Sequence, residues 1–331
     1  MQCELRTYPS SESPDYTALS YSWHHDSRVI NVRFKGTLEG LLPISHDLWC
    51  AFRAFHRWQP DGWLWVDALC IDQSSVAEKN DQVPRMRGIY FHAYAVFVWL
   101  GSAVARSRAD SAAVVSDKAG VYATAVKRGL TDGKVLEFLE LARRQRAWWC
   151  RIWIVQEMVI ATRLFVGIGP HLLQWDEFVE SADTLYEHHN KQEDYTDEKR
   201  RFDEAEFELF EQKRRIENLD RLRKEWTEAR NYPDIVNLLD LGRYAEATDG
   251  RDHIYGLLGL MSPADQLEIR VDYNRSISQV YSEIALNIIA LEKSLDFLVD
   301  IWRHNRPELP DGLLSWIPDY RSSWIHHTVL V

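Results

Sequence analysis

Apolar and polar positions along this chain follow two periods, and each change of period marks an element. Residues 16–23 (Y-T-A-L-S-Y-S-W) are rich in strand formers. Ile30, Val32 and Phe34 then alternate with Asn31 and Arg33, the period of a half-buried strand paired as an edge hairpin. Ser45 offers an N-cap to a helix with Leu48, Phe52 and Phe55 on one face, stopped by Pro60, Asp61 and Gly62. Residues 63–71 (W-L-W-V-D-A-L-C-I) read as a second strand running into a loop with Asp72 and Gln73. Asp81 and Pro84 open a helix through Met86, Ile89, Tyr90 and Ala93, and the apolar run A-V-F-V-W-L at 95–100 predicts a strand buried on both faces. Strands alternating with helices predict an α/β fold, a parallel sheet flanked by helices.

Residues 1–15 read as a polar lead-in, and 16–186 as the α/β core with a small, polar insertion at 102–133. The 187–230 stretch is densely charged with both signs nearly balanced. Ile216, Leu219, Arg223 and Trp226 keep a helical period there, which predicts a solvated helical insertion projecting from the core. Residues 231–331 read as a C-terminal helical part packed on the core, with a long amphipathic helix through Val280, Ile284, Leu286 and Ile289 and a closing apolar plug L-L-S-W-I-P-D-Y.

The densest mix of indole, charge and helical period is R-A-W-W-C-R-I-W-I-V-Q-E-M-V-I-A at 146–161. On a continuous helix, Trp149, Trp153, Glu157 and Ile160 form one stripe, which makes Glu157 the single carboxylate on a tryptophan-lined face. A poorly hydrated carboxylate needs a compensating cation. Two accounts of Glu157 therefore stand side by side: a residue for chemistry, or one half of an ion pair with Arg146 or Arg151.

The net charge of −11 argues against a general nucleic-acid or anionic-membrane surface. Cys3, Cys50, Cys70 and Cys150 have no C-x-x-C spacing and predict a reduced compartment, and no metal-ligand ladder is visible. There is no N-terminal signal pattern and no apolar run near the ~20 residues that span a bilayer, so the expected location is the cytoplasm. G-x-G-x-x-G, G-x-x-x-x-G-K-[ST] and H-E-x-x-H are all absent from the sequence.

Taken in order, 16–23, 64–73 with Glu78, 86–101 and 146–157 resemble the successive motifs of the HET (heterokaryon-incompatibility) domain of filamentous fungi. Residues 252–260, 271–273 and 315–320 resemble segments that commonly follow that domain. His24 departs from the pattern, which has glycine after the strand-ending Trp23. HET domains are associated with programmed cell death after non-self recognition and are distantly similar to TIR domains, which implies a TIR-like, flavodoxin-like core. Ala18 to Tyr21 resembles the first TIR strand, and W-I-V-Q-E at 153–157 matches the TIR W-x-x-x-E pattern. In enzymatic TIR domains that glutamate hydrolyses NAD, so the resemblance assigns Glu157 the catalytic role, with NAD as substrate and no cofactor. Self-association is implied by the same analogy; the upstream recognition or signalling partner is not legible.

Such chemistry needs little. Nicotinamide leaves NAD as a neutral molecule, so one carboxylate facing the ribose suffices to stabilise an oxocarbenium-like transition state. Trp23, Trp149 and Trp153 offer flat rings for the cationic nicotinamide. Ser20, Tyr21, Asp72 and Gln73 stand at expected strand ends, where ligands of open α/β sheets bind, and Arg151 completes the candidate set. Each has an ordinary counterpart: core packing for the tryptophans, sheet interior for Ser20 and Tyr21, loop capping for Asp72. The non-enzymatic alternative is a self-associating death-signalling module.

Overall fold

The computed structural model describes residues 2–9, 12–23, 28–36, 40–59, 61–101, 146–169, 171–192, 204–229, 231–242, 245–263, 269–297 and 312–321. His24, His25, the 102–133 insertion and part of the 187–230 stretch lie outside them. The chain divides into two compact units: residues 1–65, 93–148 and 162–218 form the first, and residues 66–92, 149–161 and 219–331 the second.

The first unit carries both sheets. In the smaller one, β1 (Gln2–Leu5) runs parallel to β3 (Val29–Gly36), which pairs antiparallel with β4 (Gly40–Ser45). The expected hairpin is present; the expected structureless lead-in instead contains β1. Gly36 lies beside this strand at φ 103°, and a Cβ there would stand 2.3 Å from the Leu5 carbonyl oxygen, so the strand pairing requires a glycine. Ser45 then caps α1 (His46–Trp58), its hydroxyl accepting from the Leu48 N–H at 3.2 Å. Leu48, Phe52 and Phe55 are buried on the helix, as their spacing predicts.

The larger sheet has the order β5-β2-β6-β7-β8, built from β2 (Tyr16–Tyr21), β5 (Trp63–Trp65), β6 (Ala95–Trp99), β7 (Leu164–Ile168) and β8 (His171–Gln174). The first four are mutually parallel and β8 is an antiparallel edge, so the sheet is mixed rather than purely parallel. All five residues of β6 are buried, as expected of a continuous apolar run at the centre of a sheet. Phe97 meets Trp58 edge-on at 4.6 Å and lies over Gly167, whose missing side chain makes the room.

Two expectations change here. The strand expected over 63–71 ends at Trp65, because Asp67 accepts its neighbour's N–H (Ala68, 2.8 Å) and the backbone closes into α2 (Asp67–Cys70). The continuous helix expected over 146–161 is two: α5 (Arg146–Trp149), in the first unit up to Trp148, and α6 (Trp153–Val159) in the second. Between them Cys150 and Ile152 exchange backbone bonds with Glu246, and Arg151 forms a β-bridge to that residue.

The second unit is helical. It holds α2, α3 (Val76–Gln82), α4 (Met86–His92), α6, α9 (Ile235–Gly242), α10 (Asp252–Tyr255) and α11 (Ile277–Glu292). Ser276 closes a capping box with Gln279 at the start of α11. Leu286, expected on the apolar face, is exposed there. In the first unit α7 (Trp175–Gln192) follows β8, and α8 (Glu204–Thr227) runs from the first unit into the second. Helix α8 is more than a solvated projection: Ile216, Leu219 and Leu222 are buried, and Arg223 donates to the Met158 and Ala161 carbonyls.

Candidate functional site

Glu157 lies on α6 at 1% exposure. Arg151 approaches it with Nη2 at 3.6 Å, an ion pair longer than the 2.7–2.9 Å of a charge-assisted hydrogen bond. The guanidinium is the more exposed partner, 18% against 2% for the side chains. Tyr90 of α4 shares this environment. Burial and the negative charge of Glu157 and Asp67 hold its phenol far above the usual range, against a smaller opposing effect of Arg151, so it stays neutral. The neighbouring Gln156 is buried as well and accepts the Gly259 N–H at 3.1 Å; a Cβ on Gly259 would stand 2.6 Å from it. Helix α6 is thus locked at Gln156 and charge-compensated at Glu157.

Trp153 is half-buried. Its indole N–H donates to Asp252 Oδ2 at 3.2 Å, and the Tyr273 hydroxyl donates to Asp252 Oδ1 at 2.6 Å. Burial is the largest influence on Asp252 and raises its carboxyl to about 6, with Asp249 adding to the rise; the bonds from Tyr273 and Trp153 and the charge of Lys79 act against it. Arg251 forms a two-bond pair with Asp249 and donates to the Tyr273 and Arg275 carbonyls, while Tyr255 and Asp272 exchange bonds through the phenol oxygen. The D-G-R-D-H-I-Y and V-D-Y stretches are therefore one knot. Sequence reasoning passed over Asp252; the available signal was a second acid within a stretch already matched to a motif.

The remaining candidates divide between the units. In the second, Trp149 is buried with no open ring face. Asp72 is exposed and caps its own turn, accepting from the Ser74 N–H at 2.9 Å and hydroxyl at 2.6 Å, bonds that lower its carboxyl below the usual value. Gln73 donates to the Asp67 carbonyl at 3.3 Å. In the first unit, Ser20 is buried and accepts the Trp148 indole N–H at 3.0 Å, Tyr21 is buried at the end of β2, and Trp23 is 44% exposed. Glu157, Arg151, Trp153 and Tyr90 are brought together with the Asp252 knot inside one unit; Ser20, Tyr21 and Trp23 belong to the other.

Among the described residues no helix is long and apolar enough to cross a membrane. No solved structure matches this chain. A relative, heterokaryon incompatibility protein 6, OR allele, of Neurospora crassa, is 25% identical over a 392-residue alignment that takes in 97% of this chain and 55% of the relative. The chain thus spans little more than half the length of that relative. Residues 16–157 match the family model described as heterokaryon incompatibility protein (HET), a match that ends on Glu157 itself. Residues 16–157 are thus similar to the HET domain, from the first strand of the larger sheet to the carboxylate of α6.

Proposed function

We propose that this protein acts in fungal heterokaryon incompatibility as a cell-death effector, and that it does so by hydrolysing NAD at the nicotinamide glycosidic bond with Glu157 as the catalytic carboxylate. The incompatibility role is supported by the HET match and by the relative's name. A TIR-like core is supported by the strand order: numbered along the chain from β2, the larger sheet reads 2-1-3-4-5, the flavodoxin-like order.

The observation that carries the catalytic reading is Glu157 itself, a desolvated carboxylate whose compensating cation is the more exposed partner. A nicotinamide ring brings the same positive charge as the guanidinium, so substrate entry exchanges one cation for another at Glu157. As the glycosidic bond breaks, charge moves from the ring to the ribose, and a carboxylate already stripped of water stabilises the sugar cation without reorganising. Trp153, one turn earlier on the helix, offers the ring face. In this reading the protein works in the cytoplasm as an assembly, with NAD as substrate and an upstream recognition protein as its trigger.

The test is chromatography of free nicotinamide after incubating concentrated protein with NAD, alongside Glu157→Gln checked by circular dichroism. Release that disappears in the folded variant supports the reading, and release undiminished by the substitution rejects Glu157 as the catalyst. The burial of Glu157 favours a second reading, a non-enzymatic self-associating module in which Arg151 and Glu157 form a structural ion pair. In that case the unmodified protein releases no nicotinamide, and Glu157→Gln lowers the melting temperature or the assembled fraction in light scattering.

A further inference from the structure

Trp153 and Glu157 are one helical turn apart on α6 and share a face. From Ile154 to Ile160 the helix is buried, so Trp153 is the residue of α6 whose aromatic surface reaches solvent. The ring is held from the side of its N–H by Asp252, which accepts the Tyr273 hydroxyl on its other oxygen. Tyr273 is itself anchored: its backbone N–H donates to Asn80 Oδ1 at 2.8 Å, the Lys79 ammonium stands 4.6 Å from its ring centroid, and the Arg251 guanidinium stands 5.2 Å from it. Asp252 is therefore a fixed acceptor.

We propose that Asp252 is a positioning residue of the Glu157 site: its carboxylate sets the Trp153 indole, and with it the ring face on which the flat cationic nicotinamide of NAD stacks beside Glu157. The proposal deepens the NAD reading and rests on it. A bond from the indole N–H to a fixed carboxylate selects one rotamer of a side chain that otherwise has several. The adjacent negative charge also strengthens the attraction of that face for a cation.

The carboxylate is poised to lose this function in mild acid. The groups that face it are Asp249, Lys79, Tyr273 and Trp153, with Arg251 paired to Asp249 and set against the Tyr273 ring. Burial and Asp249 raise its carboxyl to about 6. Above that value the carboxylate accepts from both donors. Below it, one oxygen carries a proton that must be donated, the Tyr273 bond reverses, and the charge beside the indole is gone.

The experiment titrates NAD calorimetrically into Glu157→Gln protein, in which turnover is expected to stop, at about pH 7.5 and about pH 5. Affinity is expected to fall roughly fivefold or more at the lower pH. Asp252→Asn in the same background is expected to bind equally at both, at the weaker level. Trp153→Phe, which keeps a ring and loses the N–H, is expected to do the same, and it carries the comparison if Asp252→Asn does not fold by circular dichroism. Folded variants that match their parent's affinity at both pH values overturn the positioning role and leave the NAD reading standing. NAD that neither binds the Glu157→Gln protein nor yields nicotinamide with the unmodified one overturns that reading and the positioning role together.

Discussion

Replacing Asp252 by Asn should change stability in a pH-dependent way. The folded protein raises this carboxyl from 3.8 to about 6, mainly because the charged form is desolvated. At 1.36 kcal/mol per pH unit, that rise corresponds to about 3 kcal/mol between protonated and ionised forms. For an acid whose folded value lies above its unfolded value, the folded state binds the extra proton. Its contribution is therefore fully present below 3.8 and is lost as the pH rises through about 6. Asparagine cannot ionise, so the variant escapes the loss. The stability of Asp252→Asn relative to the parent should improve by up to about 3 kcal/mol between pH 4 and pH 7, several degrees in melting temperature for a unit of this size. Melting curves of both proteins across that range measure it, and only the change in their difference matters, since every other titrating group cancels. A difference that stays flat from pH 4 to pH 7, or grows in the opposite sense, refutes the desolvated-carboxylate account. A variant that is more stable at neutral pH yet binds NAD less well would mark Asp252 as a residue kept at a stability cost for the site.

Arg151→Ala leaves Glu157 buried without that cation and should cost about 3–5 kcal/mol in urea denaturation; a cost below about 1 kcal/mol would show that the pair contributes little to the fold. Gly167→Ala places a Cβ 2.5 Å from Phe97 and 2.6 Å from Trp58, and overpacking at the centre of the larger sheet should destabilise by about 1–3 kcal/mol, read as a lower urea midpoint. Ser276→Ala removes one half of the capping box on α11 and should cost about 1 kcal/mol, with an unchanged urea midpoint as the contrary result.

The elements that were legible were those whose partners are near in sequence or whose burial is complete. Ser45 and the Leu48–Phe52–Phe55 spacing predict α1, and the 95–100 run predicts β6, because capping and full burial leave local marks. Strand β1 left none: its residues are ordinary, and its pairing with β3 is a contact across some thirty residues of chain. The break between α5 and α6 was equally invisible, since residues 146–161 keep a helical period throughout and the interruption comes from Glu246, nearly a hundred residues on. At Asp67 a side chain competing with the strand ladder was the overlooked signal.

The sequence alone was sufficient to mark Glu157 as a carboxylate that needs a cation, because helical spacing and the tryptophan-rich neighbourhood are properties of the local chain. It also named Arg146 and Arg151 as possible partners, the basic residues of the same stretch. Tertiary structure was needed to bring Arg151 to Glu157, to put Tyr90 within reach of its charge, and to make Asp252 a titrating acid held by Trp153 and Tyr273. The physical reason is that periodicity and capping act over a few residues and are written into their order. Desolvation and charge pairing depend on which distant segments the folded chain brings within a few ångströms.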